Sequence, residues 1–155
     1  MANKRALIVV LMLTLSACAG SPNKDGAELI RLKKIAIEKY NAKDYVTAKN
    51  LFAELVKKYP RDEDNWFRLG NCHARLRQPD AAIAAYRESL IRNPKNTKVW
   101  YNLAYIQASA LGKTMSEMSQ YVEPSDPDFQ RIKQLTETVI TPFNLMNDPQ
   151  DGGTE

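Results

Sequence analysis

The chain repeats itself at a fixed offset of thirty-four residues. The matched positions carry aromatic, small, acidic, basic and proline residues: Ala48 and Ala82, Phe52 and Tyr86, Glu54 and Glu88, Lys58 and Arg92, Pro60 and Pro94, Trp66 and Trp100, Leu69 and Leu103. A period of this length indicates one supersecondary unit that is stacked on its copies, because a single unit cannot bury its apolar face alone. The sequence therefore predicts an array of equivalent units.

The central unit, residues 63–96, has the spacing of two helices joined by a turn. Trp66, Leu69 and His73 stand three and four residues apart and share one helical face. Small residues stand where two helices must approach closely, and prolines mark the start and the end of the second helix: Gly70 and Ala82, then Pro79 and Pro94. Each unit is thus predicted to be a helix-turn-helix.

This pattern resembles the tetratricopeptide repeat, a helix-turn-helix unit of the same length. The unit at 29–62 is weaker in its first helix but keeps the second. The third unit begins at Thr97 and departs from the family at Ser116 and Gln120, where alanine and a large aromatic are expected. The resemblance implies an all-α fold, a superhelical stack of about two and a half repeats with a C-terminal capping helix.

The order of helices and domains follows from this pattern. Helices are predicted at about 26–41, 45–58, 62–77, 79–92 and 97–111, with a short helical turn near 114–121. A last helix at about 128–141 is predicted from an apolar stripe: Phe129, Ile132, Leu135, Val139 and Ile140. The predicted domains are a signal peptide at 1–17, a lipidated N-terminus and tether at 18–26, the repeats at 27–112, a divergent helical cap at 113–145 and a disordered tail at 146–155.

The first eighteen residues have the pattern of a lipoprotein signal. Lys4 and Arg5 precede an apolar run over 6–15, which is too short to cross a membrane because crossing takes about 20 apolar residues. The four residues at the end of this segment, Leu15, Ser16, Ala17 and Cys18, resemble the lipobox of bacterial lipoproteins, in which small residues precede the cysteine. That resemblance implies diacylglycerol and a further acyl chain such as palmitate on Cys18. Ala19 follows in place of Asp, which implies the periplasmic face of the outer membrane. The alternative is an ordinary signal peptide with an incidental cysteine.

Composition argues against several classes of function. Without Lys4 and Arg5 the chain has 20 basic and 18 acidic side chains, an excess too small to indicate nucleic-acid binding. Once Cys18 is lipidated, Cys72 has no cysteine to pair with and is expected to be buried. The single histidine, His73, occupies a packing position. We therefore expect no enzymatic activity, no metal and no cofactor.

The candidate binding site is the inner face of the stacked first helices, the groove that holds protein segments in the tetratricopeptide family. Carrying the family's groove positions onto this chain gives a candidate lining: Lys33, Ile37, Tyr40, Phe67, Arg68, Asn71, Arg75, Lys98, Tyr101, Asn102 and Tyr105. Aromatic, amide and basic groups together suit an extended or helical segment of acidic character. The alternative is that Phe67, Tyr101 and Tyr105 only pack against neighbouring helices.

Some family members clamp a terminal carboxylate with a set of lysine, asparagine and arginine residues. Lys33 and Lys98 stand at matching places, but Ile37, Arg68 and Asn102 depart from the set. The sequence therefore does not predict this clamp.

The repeats and the anchor together resemble tetratricopeptide lipoproteins of the bacterial envelope. The leading hypothesis is an outer-membrane adaptor that binds other proteins and assists assembly of a type IV or tight-adherence pilus or of a secretion system. Two alternatives stay open: an adaptor that recruits peptidoglycan-remodelling enzymes, and a self-associating structural lipoprotein whose third repeat is completed by a neighbouring chain. The oligomeric state is open as well.

Overall fold

The computed structural model describes residues 24–144, with side chains for residues 26–138. The chain divides into two compact units between Arg31 and Leu32; the described part of the first unit is a single helical stretch. Residues 24–144 contain six helices and no strand, which confirms the all-α repeat fold. The helices are α1 (Lys24–Asn41), α2 (Tyr45–Lys58), α3 (Glu63–Arg75), α4 (Pro79–Arg92), α5 (Thr97–Met118) and α6 (Pro127–Asn144).

The turns inside the repeats are equivalent at the level of single hydrogen bonds. Lys43 and Arg77, thirty-four residues apart, both have positive φ angles, of 62° and 56°. The next residue in each turn donates its backbone N–H across the helix end: Asp44 to the Lys39 carbonyl and Gln78 to the His73 carbonyl, both at 3.0 Å. This is the Schellman ending of a helix, which satisfies carbonyls that would otherwise lack donors.

Capping residues mark where most helices begin. The side chains of Asp44, Asp62 and Asn96 each accept a hydrogen bond from a backbone N–H in the first turn of the following helix, at distances of 3.0 to 3.3 Å. The helix α4 begins with Pro79 instead, a residue that has no N–H to satisfy. These signals explain why the predicted starts of α2, α4 and α5 agree with the structure.

Each complete junction between units is held by a tryptophan. The Trp66 indole N–H donates to the Pro60 carbonyl at 3.0 Å, and the Trp100 indole N–H donates to the Pro94 carbonyl at 2.9 Å. The two tryptophans are thirty-four residues apart, and so are the two prolines whose carbonyls accept. The tryptophan and the proline of the repeat pattern therefore act together: the proline follows the end of one helix, and the tryptophan of the next helix donates a hydrogen bond to the proline carbonyl across the connecting loop.

The apolar core lies between α3, α4 and α5. Tyr86 and Val99 are completely buried, and the ring centroids of Phe67 and Tyr86 lie 6.1 Å apart. The Tyr86 ring rests on the backbone of Gly70, where an added Cβ would lie 2.5 Å from two ring carbons. Glycine is therefore required where α3 and α4 cross.

The end of α5 differs from the prediction. A helix end near residue 111 and a separate turn at 114–121 were expected, but α5 continues without interruption to Met118. Gly112 is the one glycine in that stretch and proline is absent from it, and a single glycine costs a helix only about 1 kcal/mol. Helix α6 packs against α5. In its predicted apolar stripe Phe129 is buried and Leu135 is 56% exposed, while the side chains of Val139 and Ile140 lie outside the described residues.

Asn65 is a local conflict in the core, and it leads to a stability prediction. Its side chain is completely buried, and neither its Oδ1 nor its Nδ2 has a hydrogen-bond partner among the described residues. The equivalent residue one repeat later, Val99, is apolar and equally buried. We expect Asn65→Val to raise the free energy of unfolding by about 1–2 kcal/mol, because a buried amide without partners is unfavourable. Chemical denaturation measures the difference.

The reciprocal change is the matched control. Val99→Asn places an amide at the equivalent position and should lower stability by about 1–3 kcal/mol. A less stable Asn65→Val protein would contradict this account of Asn65.

Candidate functional site

The structure divides the predicted groove residues into three groups by exposure. Lys98 is exposed. The half-buried residues are Lys33, Ile37, Tyr40, Arg68, Arg75, Tyr101 and Tyr105. Phe67, Asn71 and Asn102 are buried, with 3%, 2% and 0% of their surface exposed. The last group therefore lies beneath the groove surface rather than on it.

The buried asparagines form a polar network inside the core. Asn71 Oδ1 accepts two hydrogen bonds, from the Tyr86 hydroxyl at 2.8 Å and from Asn102 Nδ2 at 2.9 Å. Burial raises the pKa of Tyr86, and a hydrogen bond from Asn102 opposes that rise only in part. The phenol thus stays protonated and keeps donating. The network joins α3, α4 and α5, and this explains why amides stand at these two positions.

Near α1, the basic groove residues Lys33 and Arg68 are already paired with acidic residues. Lys33 Nζ lies 2.8 Å from an Asp64 carboxylate oxygen and 3.2 Å from one of Asp62, and Arg68 Nε donates to Asp64 at 2.8 Å. Burial alone would raise the pKa of Asp64, but the hydrogen bonds and charges of Lys33 and Arg68 hold it below its usual value. Burial alone would lower the pKa of Lys33, but Asp64 and Asp62 raise it. This end of the groove therefore presents little free positive charge.

A different arrangement is found where α3 and α5 meet. Arg75 Nε donates to the Tyr40 hydroxyl at 3.4 Å, and the Tyr40 ring packs edge-on against Tyr45 at 5.2 Å between centroids. Arg75 and Tyr105 line one common hollow. The predicted groove residues of three successive units thus come together along this path, from Tyr40 through Arg75 to Tyr105.

This hollow is the candidate functional site and is termed the basic cleft. Its volume is about 750 Å³, within the range of 300–1,000 Å³ typical of binding sites. The described residues that line it include three cations and no carboxylate: Ala74, Arg75, Arg77, Gln78, Pro79, Tyr105, Ile106, Ser109, Ala110 and Lys113. Lys113 also pairs with Glu117 at 3.6 Å, but both side chains are largely exposed and such a pair is weak. The cleft is therefore suited to a negatively charged ligand.

Two of the three cations were missed by the sequence prediction. Arg77 lies in the turn between α3 and α4, and Lys113 lies beyond the predicted end of α5. Tyr105, Ser109 and Lys113 are spaced by four residues and share a helical face. The sequence has no strong helix-breaking signal after Ser109. On that ground, α5 could have been predicted to continue, and Lys113 would then have been recognised as part of the same helical face.

Nine of the eleven predicted lining residues lie outside the lining of the basic cleft, among them Lys98, Ile37 and Tyr101. Lys98 is in the first turn of α5, while Ile37 and Tyr101 are half-buried on α1 and α5. Cys18, the predicted lipidation site, lies outside the described residues. The structure thus places Arg75 and Tyr105, of the eleven predicted residues, in the cleft lining.

Cys72 and His73, the remaining residues that could carry chemistry, are involved in packing and in hydrogen bonding within the fold. Cys72 is completely buried, and burial raises the pKa of its thiol to about 12, so it stays protonated at neutral pH. His73 Nδ1 is 2.7 Å from Gln78 Oε1, across the turn between α3 and α4. Within residues 24–144, no cluster of three or more His, Cys, Asp and Glu side chains could hold a metal ion.

Comparison with known proteins agrees with the helical repeat. The model of the tetratricopeptide repeat family matches residues 33–97 and 73–113. Comparison with curated proteins gives no significant match. Among solved structures, the Yersinia enterocolitica type III secretion chaperone SycD in complex with a peptide of the translocator YopD is 21% identical, with a TM-score of 0.54 over 79% of this chain and 96% of that one. Another structure of SycD is 19% identical, with a TM-score of 0.53 over 77% of this chain and 86% of that one.

Proposed function

The chain belongs to the tetratricopeptide repeat family, and we propose that it is a lipid-anchored adaptor that binds an acidic segment of a partner protein in the basic cleft. The observation that carries this proposal is the convergence of Arg75, Arg77 and Lys113 on one cleft beside an aromatic ring, Tyr105. Arginine binds carboxylates through paired hydrogen bonds, and tyrosine supplies contact area at low entropic cost.

The rest of the groove adds direction to this proposal. Asp62 and Asp64 already neutralise Lys33 and Arg68. An acidic side chain of the partner therefore finds the strongest electrostatic attraction at the α5 end of the groove, in the basic cleft. One of the solved structures with a similar fold contains a chaperone bound to a translocator peptide, which supports capture of a protein segment by a stack of this kind. The partner proposed here is a protein with an exposed acidic segment.

The proposed location is the periplasmic face of the outer membrane, with the protein held by acyl chains on Cys18. The lipobox-like residues before Cys18 and the Ala19 that follows support this placement. Within the described residues, no helix is both long and apolar enough to cross a membrane. Two or three acyl chains would suffice for firm anchoring, since each buried methylene contributes about 0.8 kcal/mol.

The proposed role is assembly of an envelope machine, such as a type IV or tight-adherence pilus or a secretion system. The anchor would fix the adaptor at the membrane in which such a machine is built, and the basic cleft would hold a segment of one of its subunits. The machine's identity follows from the partner that the cleft binds.

The cleft proposal is tested by removing its charge and its ring together. We expect the double variant Arg75→Glu, Tyr105→Ala to reduce partner recovery at least tenfold after formaldehyde crosslinking in cells and quantitative mass spectrometry. The physical reason is that the glutamate at position 75 repels the acidic segment, where Arg75 could bind it through two hydrogen bonds, and that the aromatic contact surface of Tyr105 is lost. Lys98→Glu, Tyr101→Ala is the matched control, because both residues were predicted to line the groove but lie outside the cleft. Equal recovery by both folded variants would contradict the proposal.

The anchor is tested separately with Cys18→Ser. We expect this variant to lose all incorporation of labelled palmitate and to leave the membrane fraction, because serine cannot form the thioether. Fractionation of the cell envelope and metabolic labelling measure both effects. An unlabelled wild-type protein would contradict the lipoprotein assignment without affecting the cleft.

A further inference from the structure

A second hollow lies between α4 and α5, and its lining is separate from the basic cleft. Its volume is about 520 Å³. Six residues form this lining, termed the α4–α5 face: Arg87, Leu90, Ile91, Trp100, Leu103 and Gln107. Ile91 is 73% exposed and Trp100 is 52% exposed. Two large apolar side chains of one face therefore remain in contact with solvent.

The preceding repeat shows which element covers this position. Trp66, thirty-four residues before Trp100, lies on α3, against which α4 packs. The Arg92 guanidinium carbon on α4 is 4.8 Å from the centroid of the Trp66 ring. Arg92 Nε also donates to the Pro60 carbonyl, which accepts the Trp66 indole N–H as well. The second helix of the repeat thus covers its tryptophan with a cation.

The third repeat has no separate second helix over the stretch that corresponds to α4, and α6, which packs against α5, leaves Trp100 52% exposed. The stretch equivalent to α4, residues 113–126, contains the end of α5 and the turns that follow it. Its residues also differ at the key positions, where Ala82, Tyr86 and Arg92 of α4 correspond to Ser116, Gln120 and Asp126. The Trp100 indole still donates to the Pro94 carbonyl at 2.9 Å, but no cation of the described residues stacks over its ring. The third repeat therefore presents the tryptophan without its cover.

We infer that the α4–α5 face is a second docking surface, which takes an amphipathic helix of a partner protein in the place of the missing second helix. The chemistry of that helix follows from α4. It carries a small residue and an aromatic one four positions apart, as Ala82 and Tyr86 do. It ends in an arginine or lysine that stacks over Trp100, with an acidic residue four positions before it, as Glu88 stands before Arg92 at 2.7 Å.

Within residues 24–144, the chain does not offer such a helix to a second copy. Three of the described helices, α1, α2 and α4, have the small–aromatic spacing. Each uses its small residue in its own core, where Ala36, Ala48 and Ala82 are 0% exposed, and the aromatic partners Phe52 and Tyr86 are 0% exposed as well. The aromatic residue of α6 with a described side chain, Phe129, is buried too. A partner chain is therefore the occupant to which these observations point.

The test uses a defined probe, a lactam-bridged helical peptide with the sequence of residues 79–92. The full-length protein in detergent carries Trp66→Phe, so that Trp100 is the sole tryptophan. We expect saturable binding in the range of tens of micromolar and at least a twofold fall in acrylamide quenching of Trp100. Fluorescence anisotropy of a labelled peptide with the wild-type protein gives a second measurement that does not depend on the variant's folding.

Matched variants locate the bound peptide. Ile91→Glu should weaken binding at least tenfold, because it places a charge in the middle of the apolar face. Val46→Glu is the control, since Val46 is 55% exposed on α2 and lies outside this face. A peptide with Arg92→Glu should bind at least fivefold more weakly, because its cation–π contact is lost.

Three results would overturn the inference. The first is absence of saturable binding by either readout. The second is binding that Ile91→Glu leaves unchanged, which would mean that the peptide displaces α4 from its own site. The third is a dimer in light scattering that Ile91→Glu dissociates, which would assign the α4–α5 face to a second copy of the chain.

Discussion

Replacing Gly70 by alanine is expected to lower the free energy of unfolding by about 2–3 kcal/mol, although alanine is the better helix former. The added Cβ would lie 2.5 Å from Cδ1 and Cε1 of Tyr86, a separation that real Cβ atoms do not adopt. The Tyr86 ring must then move, and its hydroxyl would be drawn away from Asn71. Urea denaturation of the full chain measures the difference.

Gly112→Ala in α5 is the matched control, because it makes the same change in a partly exposed helical position. There the loss of glycine should stabilise the protein by about 0.5–1 kcal/mol. Opposite signs at the two glycines would establish that the close approach of α3 and α4, rather than helix propensity, determines the effect at Gly70. A neutral or stabilising Gly70→Ala would contradict the packing described here.

Asn71→Leu is expected to lower the free energy of unfolding by about 2–4 kcal/mol. Leucine has a similar shape but no acceptor, so the Tyr86 hydroxyl and the Asn102 amide both lose the oxygen to which they donate. Each buried donor that loses its acceptor costs about 1–3 kcal/mol. Because both residues are completely buried, water cannot readily replace the lost partner.

Tyr86→Phe provides the comparison. It removes one donor and leaves Asn71 with its bond from Asn102, so a loss of only about 1 kcal/mol is expected. In the double variant the two losses should not add, since the bond between residues 71 and 86 is counted in both single changes. Additive losses, or a stable Asn71→Leu protein, would show that the network does not contribute as proposed.

The fold was largely predictable because its signals are local and are repeated. Proline, tryptophan and capping positions recur every thirty-four residues, and they mark the ends of helices whatever the tertiary contacts are. The end of α5 was missed for the opposite reason. The repeat pattern placed a turn near residue 111, but the sequence there has no strong stop signal, and the helix continues to Met118.

The site was predicted less completely because a groove position does not determine exposure. Asn71 and Asn102 were assigned to the groove surface, yet both are buried as partners of Tyr86. Lys33 was expected to be available to a ligand, but it is bound by Asp62 at the end of its own repeat and by Asp64 of the next repeat. Such pairings join residues about thirty positions apart, and one sequence does not reveal them.

The two ends of the predicted groove differ in charge. Acidic residues balance the basic ones at the α1 end, while the basic cleft gathers three cations around Tyr105 without a lining carboxylate. Since exposed charges are screened over about 8 Å at physiological ionic strength, a ligand's acidic group must lie inside or close to the cleft to benefit. A ligand bound through these cations must therefore lie close to Tyr105.

Photo-crosslinking in living cells, with a photoreactive residue replacing Tyr105, tests this account most directly. We predict a crosslink to one envelope protein through an acidic segment, which Arg75→Glu reduces at least tenfold, while the same photoreactive residue at Val46 gives no such product. A crosslink confined to the chain itself, or a partner whose yield does not depend on Arg75, would contradict the binding of a partner in the basic cleft.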